Sequence, residues 1–147
     1  MVVGNSGLPS RDEVASRLGD LVDRLDRLSG GRTAVLPVTK AFGADAVRAV
    51  LAAGMTDVGE NYAQELIGKH GEVCGGPRNE GDPSPVRWHM IGGVQRNKVK
   101  RLVGIVTLWQ TVERPEMVDE MVRRSPSARI LIQVDPAGTP GKGGCAP

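Results

Sequence analysis

The chain has 147 residues, which is enough for one domain with a buried core. Hydrophobic residues make up 39% and charged residues 24% of the sequence, which excludes disorder along the whole chain. The 19 Lys and Arg residues against 17 Asp and Glu residues leave a net charge of +2, too small an excess to indicate a nucleic-acid partner.

The cysteine and histidine content indicates neither a disulfide scaffold nor a metal site. Cys74 and Cys145 are far apart, lack C-x-x-C spacing and are accompanied by two histidines. We expect both to be thiols in a reducing compartment. The first residues lack the basic and apolar regions of a secretory signal, and no apolar run approaches the ~18 residues of a membrane span. We therefore expect a cytoplasmic protein with no membrane partner.

The first predicted element is an amphipathic helix from about Ser10 to Ser29. Ser10 followed by Glu13 is a capping-box pattern, in which each side chain bonds the backbone N–H of the other residue. Behind this pair, apolar residues recur at helical spacing as far as Gly30, which predicts the end of the helix.

A short, mostly apolar strand is predicted next, from Thr33 to Thr39. Pro37 is unfavourable within it, because proline has no N–H for a strand ladder and prefers an edge or a bulge. We expect the chain to bend near Lys40, where this strand ends.

Helix and strand patterns alternate along the rest of the chain. Helices are predicted in ADAVRAVLAAG, AQELIGKH, QRNKVKRLV and RPEMVDEMVRR, the last with Pro115 near its first turn. Strands are predicted in TDVGENY, VRWHMIG, IVTLWQTV and RILIQVD, and loops in GEVCGGPRNEGDPSP and PAGTPGKGGCAP. Five strands that alternate with helices indicate parallel pairing, either in a doubly wound sheet or in a (β/α) barrel.

Two stretches resemble nucleic-acid or nucleotide motifs. The basic residues between Arg96 and Arg101 fit a solvated helix face better than a nucleic-acid surface, because the chain has few aromatic residues for base stacking. GTPGKGG is not a P-loop, since Pro136 stands where the first glycine is required and Gly143 where Ser or Thr is required.

Candidate functional residues follow the carboxyl ends of the predicted strands, where ligands bind in both architectures. They are Lys40, Glu60, Asn61, Gly92, Gly93 and Asp135. A lysine held half desolvated at this rim has a lowered pKa, and its neutral amine can condense with an aldehyde such as that of pyridoxal phosphate. On position alone a solvated or snorkelling lysine is the commoner case, so both interpretations of Lys40 stay open.

Four segments, in order, resemble the pyridoxal phosphate homeostasis proteins. They are LPVTK, AGMTDVGENYAQEL, RWHMIGGVQRNKVK and ILIQVDPAGTPGKGGCAP, and they cover the chain from about Leu36 to its last residue. The fold of that family is similar to the N-terminal barrel of alanine racemases. The resemblance implies an α/β fold of the (β/α) TIM-barrel type, incomplete, with about five of the eight strands of such a barrel. Residues 1–147 would then be a partial alanine racemase N-terminal-like, cofactor-binding barrel domain.

The same resemblance implies a cofactor, pyridoxal 5'-phosphate, held as a Schiff base on Lys40. It implies that Asn61, in the GEN motif, lines the cofactor pocket, and that the function is cofactor homeostasis without catalytic turnover or catalytic residues. It also implies a monomer for the full-length family. The loops after strands seven and eight that hold the phosphate, and the arginine that faces the pyridine nitrogen, have no counterpart in this chain, which therefore looks truncated on its C-terminal side.

Other interpretations stay open beside this one. A racemase or decarboxylase of the same barrel type would use the same lysine, but such enzymes usually bring a second β domain and a second acid/base group. A non-functional fragment and a half-barrel completed by another copy are further alternatives. For His89, a hydrogen-bonded barrel-core histidine and a cofactor contact are both open. Trp88 is expected to pack under the helices.

Overall fold

Four strands form one parallel sheet in the computed structural model, which describes residues 9–75, 86–138 and 140–147. The strands are Asp57–Glu60 (β1), Arg87–Met90 (β2), Val106–Val112 (β3) and Ile130–Ile132 (β4). The helices of the described residues are Arg11–Ser29 (α1), Ala44–Ala52 (α2), Ala63–Cys74 (α3), Arg96–Leu102 (α4) and Pro115–Arg124 (α5).

The strands lie side by side in the order in which they occur in the sequence, and every neighbouring pair is parallel. A helix separates each strand from the next: α3 follows β1, α4 follows β2 and α5 follows β3. A doubly wound sheet would instead reverse its strand order at a switch point. The chain therefore has an α/β fold of the (β/α) barrel type, as the resemblance implied, and the barrel is incomplete.

The first predicted strand, Thr33 to Thr39, is reduced to a single parallel bridge between Val38 and Gly59. Two backbone hydrogen bonds hold it: Gly59 N–H donates to the Pro37 carbonyl at 2.8 Å, and Thr39 N–H donates to the Gly59 carbonyl at 3.1 Å. Pro37 has no N–H with which to extend the ladder. The prediction of five strands is thus corrected to four strands and one bridged segment.

The Gly- and Pro-rich tail, predicted as a loop, contains a second isolated bridge. Val134 and Cys145 pair in parallel, with Cys145 N–H donating to the Gln133 carbonyl and Asp135 N–H to the Cys145 carbonyl, both at 2.9 Å. The chain therefore returns to lie beside the extension of β4. Composition gave no signal for this pairing, because a single bridge needs no run of strand-forming residues.

Helix α1 begins and ends where the local signals predicted. The capping box is complete: Glu13 N–H donates to Ser10 Oγ at 3.2 Å, and Ser10 N–H donates to Glu13 Oε2 at 2.8 Å. Gly30 ends the helix with φ of 62°, a left-handed conformation that glycine adopts without steric cost.

Helix α3 is longer than predicted. It continues to Cys74, so its last turn includes residues 71–74 that the composition had assigned to a loop. Residues 76–85 of that predicted loop lie outside the described part of the chain. Both cysteines are in the thiol form, as expected.

The core lies between the sheet and the helices. Its buried apolar residues are Val47, Val50, Val58, Leu66, Val86, Trp88, Met90, Val99, Leu102, Trp109, Val112, Met117 and Met121. Trp88 is fully buried, and its indole N–H donates to Nδ1 of His70 on α3 at 3.1 Å. This confirms that Trp88 packs under the helices. Because successive residues of a strand face opposite sides of the sheet, Gly59 on β1 and His89 on β2 face away from this layer.

Helices α4 and α5 are joined by one buried carboxylate. Glu120 is 4% exposed and binds Arg123 Nη2 at 2.6 Å, Arg124 Nε, and Arg96 Nε at 3.4 Å. Hydrogen bonds from Arg123 and Arg124 lower the pKa of Glu120 to about 2, against the opposing effect of burial. Arg96, the first residue of the basic stretch, is thus engaged in packing α4 against α5, while Val99 and Leu102 of α4 are buried.

No helix within the described residues has the length and the apolar character needed to cross a membrane.

The depressed pKa of Glu120 predicts a pH dependence of stability. Its ionised form contributes stability above its ordinary pKa of 4.5, and that contribution is lost as the pH falls towards about 2. We expect Glu120→Gln to lower the urea midpoint at neutral pH, and the difference from the parent to shrink between pH 4.5 and about 2. Glu116→Gln, at an exposed position of the same helix, is the matched control. A Glu120→Gln difference that stays constant across this window would contradict the assignment.

Candidate functional site

Lys40 and Asn61 lie at the same edge of the sheet. Val38 and Gly59 form the bridged pair, and Lys40 and Asn61 each follow their member of that pair by two residues. Both residues therefore lie just beyond the carboxyl ends of adjacent segments that pair in parallel. This is the edge where (β/α) barrels bind their ligands. The structure thus brings together the two residues that the resemblance assigned to the cofactor.

Lys40 is exposed, which corrects the expectation of a half-desolvated amine. The apolar residues two positions before and after it, Val38 and Phe42, are themselves 42% and 47% exposed. The described strands form an open four-stranded sheet and not a closed barrel. The Lys40 amine can therefore be reached from solvent.

A tight turn follows the bridged segment and carries Lys40. Phe42 N–H donates to the Thr39 carbonyl at 3.2 Å, which places Lys40 and Ala41 at the two central positions. Ala41 has φ of 65°, a left-handed conformation that costs a residue with a Cβ on the order of 1–2 kcal/mol. A turn of this kind persists only where surrounding contacts hold it.

The contacts that hold the turn come from a buried network centred on Lys69. The Lys69 Nζ lies 2.7 Å from the Thr39 carbonyl oxygen, 2.6 Å from Glu60 Oε1 and 3.3 Å from Glu65 Oε2. The Thr39 hydroxyl donates to Glu60 Oε1 at 2.5 Å, and Ala41 N–H donates to Glu65 Oε2 at 2.9 Å. Thr39, Glu60 and Lys69 are all buried.

This network changes the role of Glu60, which the sequence had placed on the rim beside Asn61. Glu60 is the last residue of β1, and its fully buried side chain lies on the helix side of the sheet. It accepts hydrogen bonds from Thr39 and Lys69 through Oε1. Only the Glu65–Lys69 part of this network has a signal in the local sequence, because the two residues are four positions apart on the same face of α3.

Gly92, two residues beyond the end of β2, lies in close contact with Asn61. A Cβ at Gly92 would lie 2.0 Å from the Asn61 carbonyl oxygen and 2.7 Å from Asn61 Oδ1. The Gly92 carbonyl in turn accepts a hydrogen bond from Thr111 Oγ1 at 2.7 Å. Only a glycine permits this approach, because any other residue would place its Cβ against Asn61. The glycine after β2 therefore allows Asn61 to lie close to the sheet edge.

His89 belongs to a different group of residues. Gln110 Nε2 lies 2.8 Å from His89 Nδ1, which leaves Nε2 as the N–H that donates to Asp57 Oδ1 at 2.8 Å. Burial alone would raise the pKa of Asp57, but hydrogen bonds from Arg87 and His89 outweigh it and hold that pKa below its usual range. Asp57 and Arg87 are the first residues of β1 and β2. They therefore lie at the amino end of the sheet, whereas Lys40 lies at its carboxyl end. These contacts favour the interpretation of His89 as a hydrogen-bonded histidine of the sheet.

Asp135, the last rim candidate, lies beyond the end of β4. Its backbone N–H is used in the bridge to Cys145, and its Oδ1 accepts from Ala137 N–H at 3.1 Å. The described contacts thus assign it to the turn that begins the tail. Within residues 9–75, 86–138 and 140–147, no cluster of three acidic, histidine or cysteine side chains could hold a metal ion.

Comparisons with known proteins agree with the sequence motifs. No family model matches the chain. It is 32% identical over 139 residues to the pyridoxal phosphate homeostasis protein of Pseudomonas aeruginosa, covering 92% of this chain and 56% of that protein. It is 31% identical over 117 residues to the protein of the same name from Aquifex aeolicus, covering 77% of this chain and 48% of that protein. The chain thus spans about half the length of these curated relatives.

Solved structures show the same similarity. PipY of Synechococcus elongatus without pyridoxal phosphate superposes with a TM-score of 0.75 at 27% identity, over 90% of this chain and 58% of PipY. PipY with pyridoxal phosphate bound superposes with a TM-score of 0.70 at 27% identity, over 88% and 57% of the two chains.

The close approach at Gly92 predicts the effect of one added methyl group. We expect Gly92→Ala to push Asn61 away from the sheet edge and to lower the free energy of unfolding by on the order of 1–3 kcal/mol, measured by urea denaturation. Gly93→Ala is the matched control, because a Cβ at Gly93 meets no atom within 4 Å. Equal stabilities of the two variants would contradict the packing described for Asn61.

Proposed function

Since this chain belongs to the pyridoxal phosphate homeostasis protein family, we propose that it binds pyridoxal phosphate through the side-chain amine of Lys40. The observation that carries the proposal is the parallel bridge between Val38 and Gly59, beyond which Lys40 and Asn61 both follow at the carboxyl edge of the sheet. We further propose that residues 1–147 act as one partial barrel domain that supplies the amine end of the site.

The residues at this edge fit the aldehyde and the ring of the cofactor. Pyridoxal phosphate supplies an aldehyde, whose carbon forms a C=N bond with a neutral lysine amine while one water molecule is released. Lys40 is exposed and lies on a turn whose backbone is bonded by Glu65 and Lys69 of α3. Asn61 is half-buried beside it and offers an amide that donates or accepts a hydrogen bond without adding charge.

We infer that the site has no catalytic turnover. Racemisation or decarboxylation of an amino acid requires an acid or base positioned at the reacting carbon, in addition to the lysine. Among the described residues, Glu60, Glu65 and Lys69 bond one another and the turn, and His89 bonds Asp57 and Gln110. Their engagement supports a role in holding the cofactor rather than in transforming a substrate.

Covalent labelling tests the role of Lys40. The whole chain is mixed with pyridoxal phosphate, reduced with borohydride and mapped by peptide mass spectrometry. We expect one adduct, on Lys40, because its exposed amine is presented beside Asn61, and we expect Lys40→Ala to lose it. Lys100→Ala, at an exposed position of α4, should keep full labelling. Undiminished covalent labelling of Lys40→Ala would disprove the proposal.

Optical rotation tests the absence of turnover. We expect single amino-acid enantiomers, incubated with the chain and pyridoxal phosphate, to keep their rotation over many cofactor equivalents, because the described acidic and basic groups near the turn bond one another and the backbone. The control is the same mixture with Lys40→Ala. A sustained loss of rotation that requires Lys40 would favour the racemase alternative.

A further inference from the structure

Three buried or half-buried charged side chains hold the backbone on both sides of Lys40, and the proposed cofactor chemistry uses none of them. They are Glu60 at the end of β1 and Glu65 and Lys69 on α3. We propose that Lys69 is a positioning residue, which acts with Glu60 and Glu65 to hold the turn that presents the Lys40 amine. The expected effect on cofactor binding rests on the proposed function of Lys40, whereas the stabilisation of the turn by these contacts does not.

All the donors of Lys69 are used for this purpose. A lysine ammonium has three N–H donors, and three acceptors lie within reach: the Thr39 carbonyl at 2.7 Å, Glu60 Oε1 at 2.6 Å and Glu65 Oε2 at 3.3 Å. The Lys69 side chain is only 6% exposed, so water contributes little to its solvation. Every contact goes either to the turn itself or to a carboxylate that also bonds the turn.

The two carboxylates accept hydrogen bonds from both sequence neighbours of Lys40. Glu60 accepts from the hydroxyl of Thr39, the residue before Lys40, and Glu65 accepts from the N–H of Ala41, the residue after it. The hold matters because Ala41 has φ of 65°, a conformation that a turn of this type normally assigns to glycine. Without these contacts we expect the turn to relax to a negative φ, which would redirect the Lys40 peptide.

None of the described contacts of this network involves the Lys40 amine. The Thr39 side chain bonds Glu60, and Lys40 follows it at the first central position of the turn. Positioning through the backbone leaves the exposed Lys40 side chain available to a ligand.

The test uses the whole chain and variants that separate positioning from folding. Glu60→Met/Lys69→Met removes both buried charges together, so neither is left unpaired, and such replacements are commonly compatible with a folded protein. Lys69→Arg keeps the positive charge. Lys100→Met is the matched control at an exposed helix position. Circular dichroism and thermal melting establish that each variant is folded.

The first readout requires no cofactor. Amide hydrogen exchange at Ala41, measured by NMR, reports directly on its bond to Glu65 and on the shape of the turn. We expect at least about tenfold faster exchange in the double variant, a smaller change in Lys69→Arg and none in Lys100→Met. The second readout is titration with pyridoxal phosphate followed by borohydride reduction. We expect about tenfold weaker binding at Lys40 in the double variant, equal to about 1.4 kcal/mol.

Unchanged Ala41 exchange in a folded double variant would overturn the proposal, and so would unchanged affinity at Lys40 when exchange has become faster. If the parent chain carries no label on Lys40, the proposed function fails, while faster Ala41 exchange in the double variant still supports the hold on the turn. Should the double variant not fold, Glu65→Ala provides the same two readouts, because that side chain is 34% exposed.

Discussion

The ion pair between Lys69 and Glu60 joins three parts of the chain that are separate in sequence: the bridged segment before α2, the end of β1, and α3. Their side chains are 6% and 0% exposed. Charges removed from water are tolerated only where a partner and hydrogen bonds replace the lost hydration. Thr39 supplies a hydroxyl and a carbonyl, and Glu65 a second carboxylate. Because the contacts are mutually dependent, the relative placement of these three parts is determined by one network.

The two faces of the sheet differ in a way that explains the position of the candidate site. On the helix side Val58, Trp88 and Met90 are buried and packed in the core. On the other side, at the edge of the sheet, Val38 and Phe42 remain 42% and 47% exposed. The site lies where these two environments meet. The contacts to the turn that carries Lys40 come from the helix side, through Glu60, Glu65 and Lys69.

The backbone at Gly92 and at Ala41 also contributes to the placement of the candidate site residues. Gly92 allows the backbone just beyond β2 to approach Asn61 more closely than a residue with a Cβ would permit. Ala41 adopts φ of 65°, and its N–H donates to Glu65 on α3. The amine and the amide proposed to contact the cofactor are therefore positioned through their backbones. Such positioning leaves both side chains available for a ligand.

Local signals were sufficient for much of the fold. The capping box and Gly30 predicted both ends of α1, and the alternation of apolar patterns predicted the parallel pairing of the later strands. The motifs around Lys40 and Asn61 predicted that both would lie at the carboxyl edge of the sheet. These features depend on neighbours within a few residues, or on the rule that parallel strands end at a common edge.

The remaining features depend on contacts between residues far apart in sequence, which no local pattern encodes. Glu60 bonds Lys69 nine residues away and Thr39 twenty-one residues away, and Lys69 bonds the Thr39 carbonyl across thirty residues. The reduction of the Thr33–Thr39 strand to one bridge, and the pairing of Cys145 with Val134, depend on register in the same way. By itself the sequence determined the element types, the family motifs and the edge at which Lys40 lies. The tertiary structure alone decided that Glu60 turns towards Lys69 and that the Lys40 amine is exposed, because burial and register are properties of the assembled layers.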